Sequence, residues 1–272
     1  MKNFKYIDLF AGAGGLSEGF IRAGFIPIAH IEMNKDACNT LRTRAVYHYL
    51  KEENKEDIYI KYLKGKNRDR DSFWNNNNIP PYIIDSVINT EISEKTLPSI
   101  FEKVDTLLNQ KEIDVIIGGP PCQAYSVAGR ARDPKRMSED PRNFLYKYYV
   151  EFLKKYQPKM FIFENVPGIL SASNGKHLDD IIESVKEIGY EISLPNNAKK
   201  ILNAKDFGVL QDRKRVIIIG WKKELNLSYP DFEVEQLDFE VLKDLFSDLK
   251  PLKNGEGSLN AQEYHTPTTK YL

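Results

Sequence analysis

The chain has 272 residues, and 39 lysines and arginines balance 39 aspartates and glutamates. That length suits one full α/β domain with a sizeable core, and a net charge of zero gives no sign of a polyanionic partner, although it can hide local patches. Two cysteines rule out a disulfide framework and point to a reducing compartment, and neither a signal peptide nor an apolar stretch of membrane-spanning length occurs, so a soluble, cytoplasmic protein is expected.

Lys5 to Phe10 reads as a first strand, and Ala11-Gly12-Ala13-Gly14-Gly15 as a turn into a helix that runs from about Leu16 to Ala23 and stops at Gly24. Glycines between a strand and a helix let the backbone approach a ligand near the helix N-terminus, or simply make a tight connection. Ile26 to Ile31 is a second strand ending in Glu32, about twenty residues on. An acid there suits the ribose hydroxyls of a nucleoside cofactor, the other reading being a surface carboxylate. Asn34 is an N-cap candidate for a helix through Leu50.

Residues 51–82 are highly charged, then contain Asn75 to Asn78 and Pro80-Pro81, and read as an irregular inserted loop. Strand character returns over Ile83 to Ile92, followed by a helix over Leu97 to Gln110 and a buried strand over Ile113 to Ile117. Gly118-Gly119-Pro120-Pro121 ends that strand and leads to Cys122, placing one thiol past the carboxyl end of a strand, where open α/β sheets hold their chemistry. A nucleophile is the favoured reading and a buried structural cysteine the plain one, which we assign to Cys38. A zinc deaminase is excluded, because position 125 is tyrosine and no upstream His-x-Glu exists; no metal is expected.

Pro141 to Tyr156 reads as a helix and Met160 to Phe163 as a buried strand ending in Glu164, a carboxylate that burial would favour as a proton donor to a ring nitrogen, or else a helix cap. Leu178, Ile181, Ile182, Val185 and Ile188 recur at helical spacing, and Val216 to Ile219 is a late strand. Arg213 and Arg215 precede it on one face of an extended segment, suited to a carbonyl oxygen and a phosphate, or to a solvated edge. Basic clusters occur at Arg130, Arg132, Lys135 and Arg136 and at Lys205 and Arg213 to Arg215. Alternating strands and helices predict a doubly wound, mostly parallel sheet of Rossmann-like type, with residues 1–225 as the catalytic and cofactor-binding domain and 226–272 as a C-terminal extension.

Together these motifs, in order over residues 4 to 253, resemble a C5 cytosine DNA methyltransferase that uses S-adenosylmethionine. The resemblance implies cofactor binding by Asp8, Phe10, Gly12, Gly14, Gly15, Leu16, Glu32, Met33, Pro120 and Leu145, and by Glu91 and Ile92, where Thr90-Glu91 stands in place of the family's Gly-Asp. It implies catalysis by Cys122, Glu164, Arg213 and Arg215, and contacts to a flipped cytosine and its strand by Pro121, Gln123, Ser126, Arg130, Asn165 and Val166; Tyr125 replaces the usual phenylalanine. Double-stranded DNA is the implied partner. The family's target-recognition region and last motifs are not found, so a second polypeptide carrying them is expected, or else a truncation. Alternatives are a tRNA cytosine methyltransferase, a non-catalytic subunit, and a dinucleotide oxidoreductase, which would leave the Cys122 loop without a role.

Overall fold

A computed structural model of the chain describes residues 4–65, 69–121, 145–193, 201–209, 211–232 and 246–257. It divides into two compact units: Met1–Ile201 with Arg215–Pro230, and Leu202–Lys214 with Asp231–Leu272.

The first unit is built on a sheet whose strands, in chain order, are β1 (Lys5–Leu9), β2 (Ile26–Glu32), β3 (Val87–Asn89), β4 (Val115–Gly118), β5 (Met160–Asn165), β6 (Tyr190–Ser193) and β8 (Lys214–Lys222), arranged β3-β2-β1-β4-β5-β8-β6. β7 (Leu202–Asn203) pairs with β8. The pairs β1–β2, β1–β4, β2–β3 and β4–β5 are parallel, while β8 runs antiparallel to β5 and β6. The chain thus reverses its direction of travel across the sheet between β1 and β4, and the crevice beyond their carboxyl ends is where an open α/β sheet binds its ligand.

Both faces are covered because the strands alternate buried side chains on two sides. Ile7, Leu9, Ala29, Ile31, Ile116, Phe161 and Phe163 face α6 (Leu97–Leu108), α7 (Leu145–Tyr156) and α8 (Lys176–Glu187) in the main core. Tyr6, Val115 and Ile117 face α1 (Gly15–Arg22), through Leu16, Phe20 and Ile21. α2 (Lys35–Glu52) packs Cys38 and Leu41 on Ala11 and Val87. Tyr149 of α7 donates its hydroxyl to the Ile116 carbonyl of β4 and also lies 3.1 Å from the Ile162 carbonyl of β5.

The expected loop over 51–82 is instead largely helical: α3 (Glu56–Lys64), α4 (Arg70–Asn75) and α5 (Pro81–Asp85) form a small module against α2. Its core is aromatic, with Tyr62 stacked on Phe73 at 4.2 Å between ring centroids. High charge hid the helical spacing, because the apolar faces are narrow and made of half-buried tyrosines. α5 also occupies the start of the expected Ile83–Ile92 strand, of which only β3 forms, and β6 lies where no strand was expected. Among the described residues no helix is long and apolar enough to cross a membrane.

Candidate active site

The turn after β1 is shaped by positive φ angles at Phe10 (57°), Gly12 (54°) and Gly14 (83°). A Cβ on Gly14 would lie 2.7 Å from Leu41 Cδ2, so this position combines a left-handed backbone with a close approach to α2. An added Cβ at Gly12 or Gly15 meets nothing within 4 Å, so the outer side of the turn is open. Ala11 N–H donates to the Ile31 carbonyl, tying the turn to the end of β2.

Glu32 ends β2 half-buried, and its two carboxylate oxygens accept from Gly12 N–H at 2.8 Å and Asn34 N–H at 2.7 Å. Asn34 caps α2, accepting from the amides of Asp36 and Ala37. Glu32 is therefore a brace across the glycine turn, a role that spacing alone does not reveal. Asn89 adds a second brace, donating to the carbonyls of Glu32 and Met33. Met33 is 63 % exposed beside it. Glu91 is exposed, whereas Ile92 is buried in the main core, so only its backbone is free to face a ligand. Leu16 packs under the turn, and Leu145 opens α7 half-buried.

Asp8 is buried, and its Oδ2 has no hydrogen-bond partner. Burial, with Glu32 and Glu164 adding their charges, pushes its carboxyl well above the usual carboxylate range.

The second half of the site lies past β4 and β5. A Cβ on Gly118 would fall 2.4 Å from the Leu9 carbonyl oxygen, and one on Gly119 would fall 2.8 Å from Glu164 Oε2. The glycine pair thus does more than end a strand: it lets the backbone leading to Cys122 pass against β1 and against the Glu164 carboxylate. Glu164 is about a quarter exposed and ion-paired with Arg215, Nε to Oε1 at 2.7 Å. Antiparallel pairing of β5 with β8 brings these two together, since Asn165 opposes Val216. The carboxylate is therefore half-buried and paired rather than sequestered in an apolar pocket.

Asn165 is buried and spends its amide locally: Nδ2 donates to the Pro120 carbonyl and Oδ1 accepts from Val166 N–H. Pro120 is buried, and Pro121 and Val166 are half-buried. The structure so brings Gly119, Pro120, Glu164, Asn165 and Arg215 together. Arg213 belongs to the second unit, is exposed, and donates its backbone N–H to Asn203 Oδ1. Cys122, Gln123, Ser126 and Arg130 lie outside the described residues.

The profile of the C-5 cytosine-specific DNA methylase family matches residues 4–74 and 77–270. The type II methyltransferase M.Bpa9945I of Bacillus paralicheniformis is 38% identical over 96% of this chain and 64% of that protein. The type II methyltransferase M.AquIA of Picosynechococcus is 32% identical over 97% of this chain and 90% of that protein. A crystal structure of a prophage-encoded DNA modification methyltransferase of E. coli superposes with a TM-score of 0.57 at 26% identity, over 92% of this chain and 56% of that one. The chain spans 64%, 55% and 56% of the lengths of the first three curated relatives it matches.

Proposed function

The chain belongs to the C-5 cytosine-specific DNA methylase family, and from that premise we propose that it transfers a methyl group from S-adenosylmethionine to carbon 5 of cytosine in double-stranded DNA. The observation that carries the reading is the packing of Gly119 against the Glu164 carboxylate, with Arg215 paired to the same carboxylate. The described backbone reaches Pro121, one residue short of Cys122, beside the acid that would engage the base.

The residues present fit a nucleoside cofactor. The turn is open at Gly12 and Gly15, and Glu32 stands at the end of the neighbouring strand. Each Glu32 oxygen keeps a lone pair beyond its amide bond, enough to accept a ribose hydroxyl. When bound, S-adenosylmethionine supplies an electrophilic methyl group. Carbon 5 of cytosine is too weak a nucleophile to take it unaided. The Cys122 thiolate therefore bonds to carbon 6, and the carbon 5–carbon 6 π electrons shift toward carbon 5 while Glu164 hydrogen-bonds or protonates ring nitrogen 3. Arg215 holds Glu164 at a fixed angle for that contact. So activated, carbon 5 would accept the methyl group as its bond to the cofactor sulfur breaks and leaves S-adenosylhomocysteine; a base would then take the carbon 5 proton as the sulfur–carbon 6 bond breaks, which restores the ring and frees Cys122. A stacked base is out of reach of the sulfur, so the cytosine must leave the duplex.

Part of M.Bpa9945I has no counterpart in this chain. We propose that target recognition rests on such a part, carried by a second polypeptide or by a longer form of this chain. Methylation assays with the chain alone, and with a candidate partner added, test that assignment. Cys122→Ser is expected to abolish transfer while leaving cofactor affinity within about twofold, because a hydroxyl is far less nucleophilic at neutral pH. A mechanism-based cytosine analogue in duplex DNA is expected to trap the chain at Cys122. Trapping at Cys38, or transfer to a tRNA substrate in preference to DNA, would overturn the reading.

A further inference from the structure

The first turn of α1 and the middle of α2 are joined by a polar cluster outside the residues already assigned. Glu18 follows Gly14 by four positions and donates its backbone N–H to the Gly14 carbonyl at 3.0 Å. Its carboxylate accepts from Arg44 Nη2 at 2.6 Å and meets His48 Nε2 at 2.9 Å. Arg44 and His48 are four apart and so share one face of α2. Only 19 % of the Glu18 side chain is exposed. Arg22 reaches the same carboxylate from the solvent side, with 78 % of its own side chain exposed.

The cluster also touches the glycine turn. A Cβ built on Gly14 would lie 3.6 Å from Arg44 Nε. The connections therefore close on themselves: Gly14 to Glu18 through the helix, Glu18 to Arg44 through the ion pair, and Arg44 back under Gly14. α2 begins at Asn34, whose N–H is held by Glu32. One helix thus carries, at its start, the support of the ribose acid and, in its middle, the two groups that hold the opposite wall.

We infer that Glu18 is a positioning residue whose clamp on Arg44 and His48 fixes the separation between the glycine turn and Glu32, and thereby the affinity for the nucleoside cofactor. The inference rests on the cofactor reading above. Hydrogen bonds to a nucleoside tolerate displacements of only a few tenths of an ångström, and the clamp adds a side-chain tie between α1 and α2 to the ties that Ala11 makes to Ile31 and Gly12 makes to Glu32. Although burial works against the charge, hydrogen bonds from His48, Arg44 and Arg22 hold the Glu18 carboxyl down to about 2. The Glu18 carboxylate is thus charged throughout the working range. Its far side is also backed: the His48 ring meets Tyr47 at 5.2 Å and Tyr47 meets Tyr59 of α3 at 4.9 Å, which ties the module of α3 to α5 to the cofactor wall.

The test is calorimetric binding of S-adenosylhomocysteine to the full chain. Glu18→Gln is expected to weaken binding roughly 5- to 20-fold, and turnover at saturating S-adenosylmethionine to stay within about twofold. The double variant Glu18→Gln/Arg44→Met should bind no worse than the weaker single one, because both remove one interaction. Arg22→Gln should bind within about twofold of the unmodified chain, and His48→Gln, which keeps a donor, within about threefold. Unchanged affinity in Glu18→Gln overturns the inference, as does multiplicative loss in the double variant or an equal loss in Arg22→Gln. Should Glu18→Gln fold poorly, Arg44→Met decides, since it removes the same ion pair from the other side and unchanged affinity there overturns the clamp. Absence of binding by the unmodified chain overturns the cofactor reading itself, whereas full binding by every variant overturns only the clamp.

Discussion

His30 and Asp8 stand opposite each other on adjacent strands, both buried, and they make stability depend on pH with opposite signs. His30 shares a hydrogen bond with the Ser17 hydroxyl, which in turn bonds Tyr6, and Arg44 lies near it. Burial, with Arg44 adding to it, lowers the imidazole from 6.5 to about 4. The folded chain keeps His30 neutral, while the unfolded chain takes up a proton below 6.5. Stability is therefore complete above that pH and is lost as pH falls toward about 4, to a limit of about 3 kcal/mol. Urea unfolding of His30→Gln against the unmodified chain between pH 7 and 4.5 should show the variant with a flatter profile; parallel profiles would mean that His30 is not the group responsible. Asp8 works the other way. Its folded carboxyl gives up its proton at higher pH than the unfolded one does, so its contribution declines as pH rises. Asp8→Asn should gain on the unmodified chain from pH 5 to pH 8 in the same experiment. Spacing pointed to Glu32 and the family resemblance to Asp8, but neither pointed to the brace that Glu32 makes on Gly12, because a backbone amide leaves no trace in residue identity.

At the level of elements, the β5–β8 pairing is the contact on which the Glu164–Arg215 geometry depends, and Gly220 is its tightest point. A Cβ there would lie 2.1 Å from Phe161 Cε1, and Phe161 is fully buried. Gly220→Ala is expected to cost roughly 1–3 kcal/mol through overpacking, seen as a lower urea midpoint with an unchanged slope. Gly19→Ala, in the interior of α1 with nothing within 4 Å of an added Cβ, should instead stabilise by roughly 0.5–1 kcal/mol. Equal effects at the two positions would refute the packing argument. The elements that the sequence located are continuous apolar strands buried on both faces, such as β1 and β4, and helices with one wide apolar face, such as α6 and α8. β6 is only four residues long, and α3 to α5 bury tyrosines at their edges, so neither carries a period strong enough to read. The reversal of β8 relative to β5 is likewise silent in the sequence, since alternation looks the same in either direction.

Across the whole molecule, the strand order puts the glycine turn after β1 and the Gly118–Pro121 segment after β4 side by side at the one place where the sheet reverses direction. That convergence is why motifs far apart along the chain come together at one edge of the sheet. The charge balance bears on what the molecule does next. With 39 basic and 39 acidic residues, there is no general field to attract DNA, and phosphate contacts must come from local groups. Arg130, Arg132, Lys135 and Arg136 form one such group, while Arg215 of the second cluster is already committed to Glu164. Four or five neutralised phosphates correspond to a slope of log affinity against log salt between about −3 and −5. Fluorescence anisotropy on a mixed-sequence duplex from low to physiological salt measures that slope for the isolated chain. Replacing Arg130, Arg132 and Arg136 together with glutamine should reduce it by about three and leave S-adenosylhomocysteine binding unchanged. A slope steeper than about −7 would show that groups beyond these clusters hold the duplex, and a slope unaffected by the triple replacement would remove Arg130, Arg132 and Arg136 from the DNA-contacting groups.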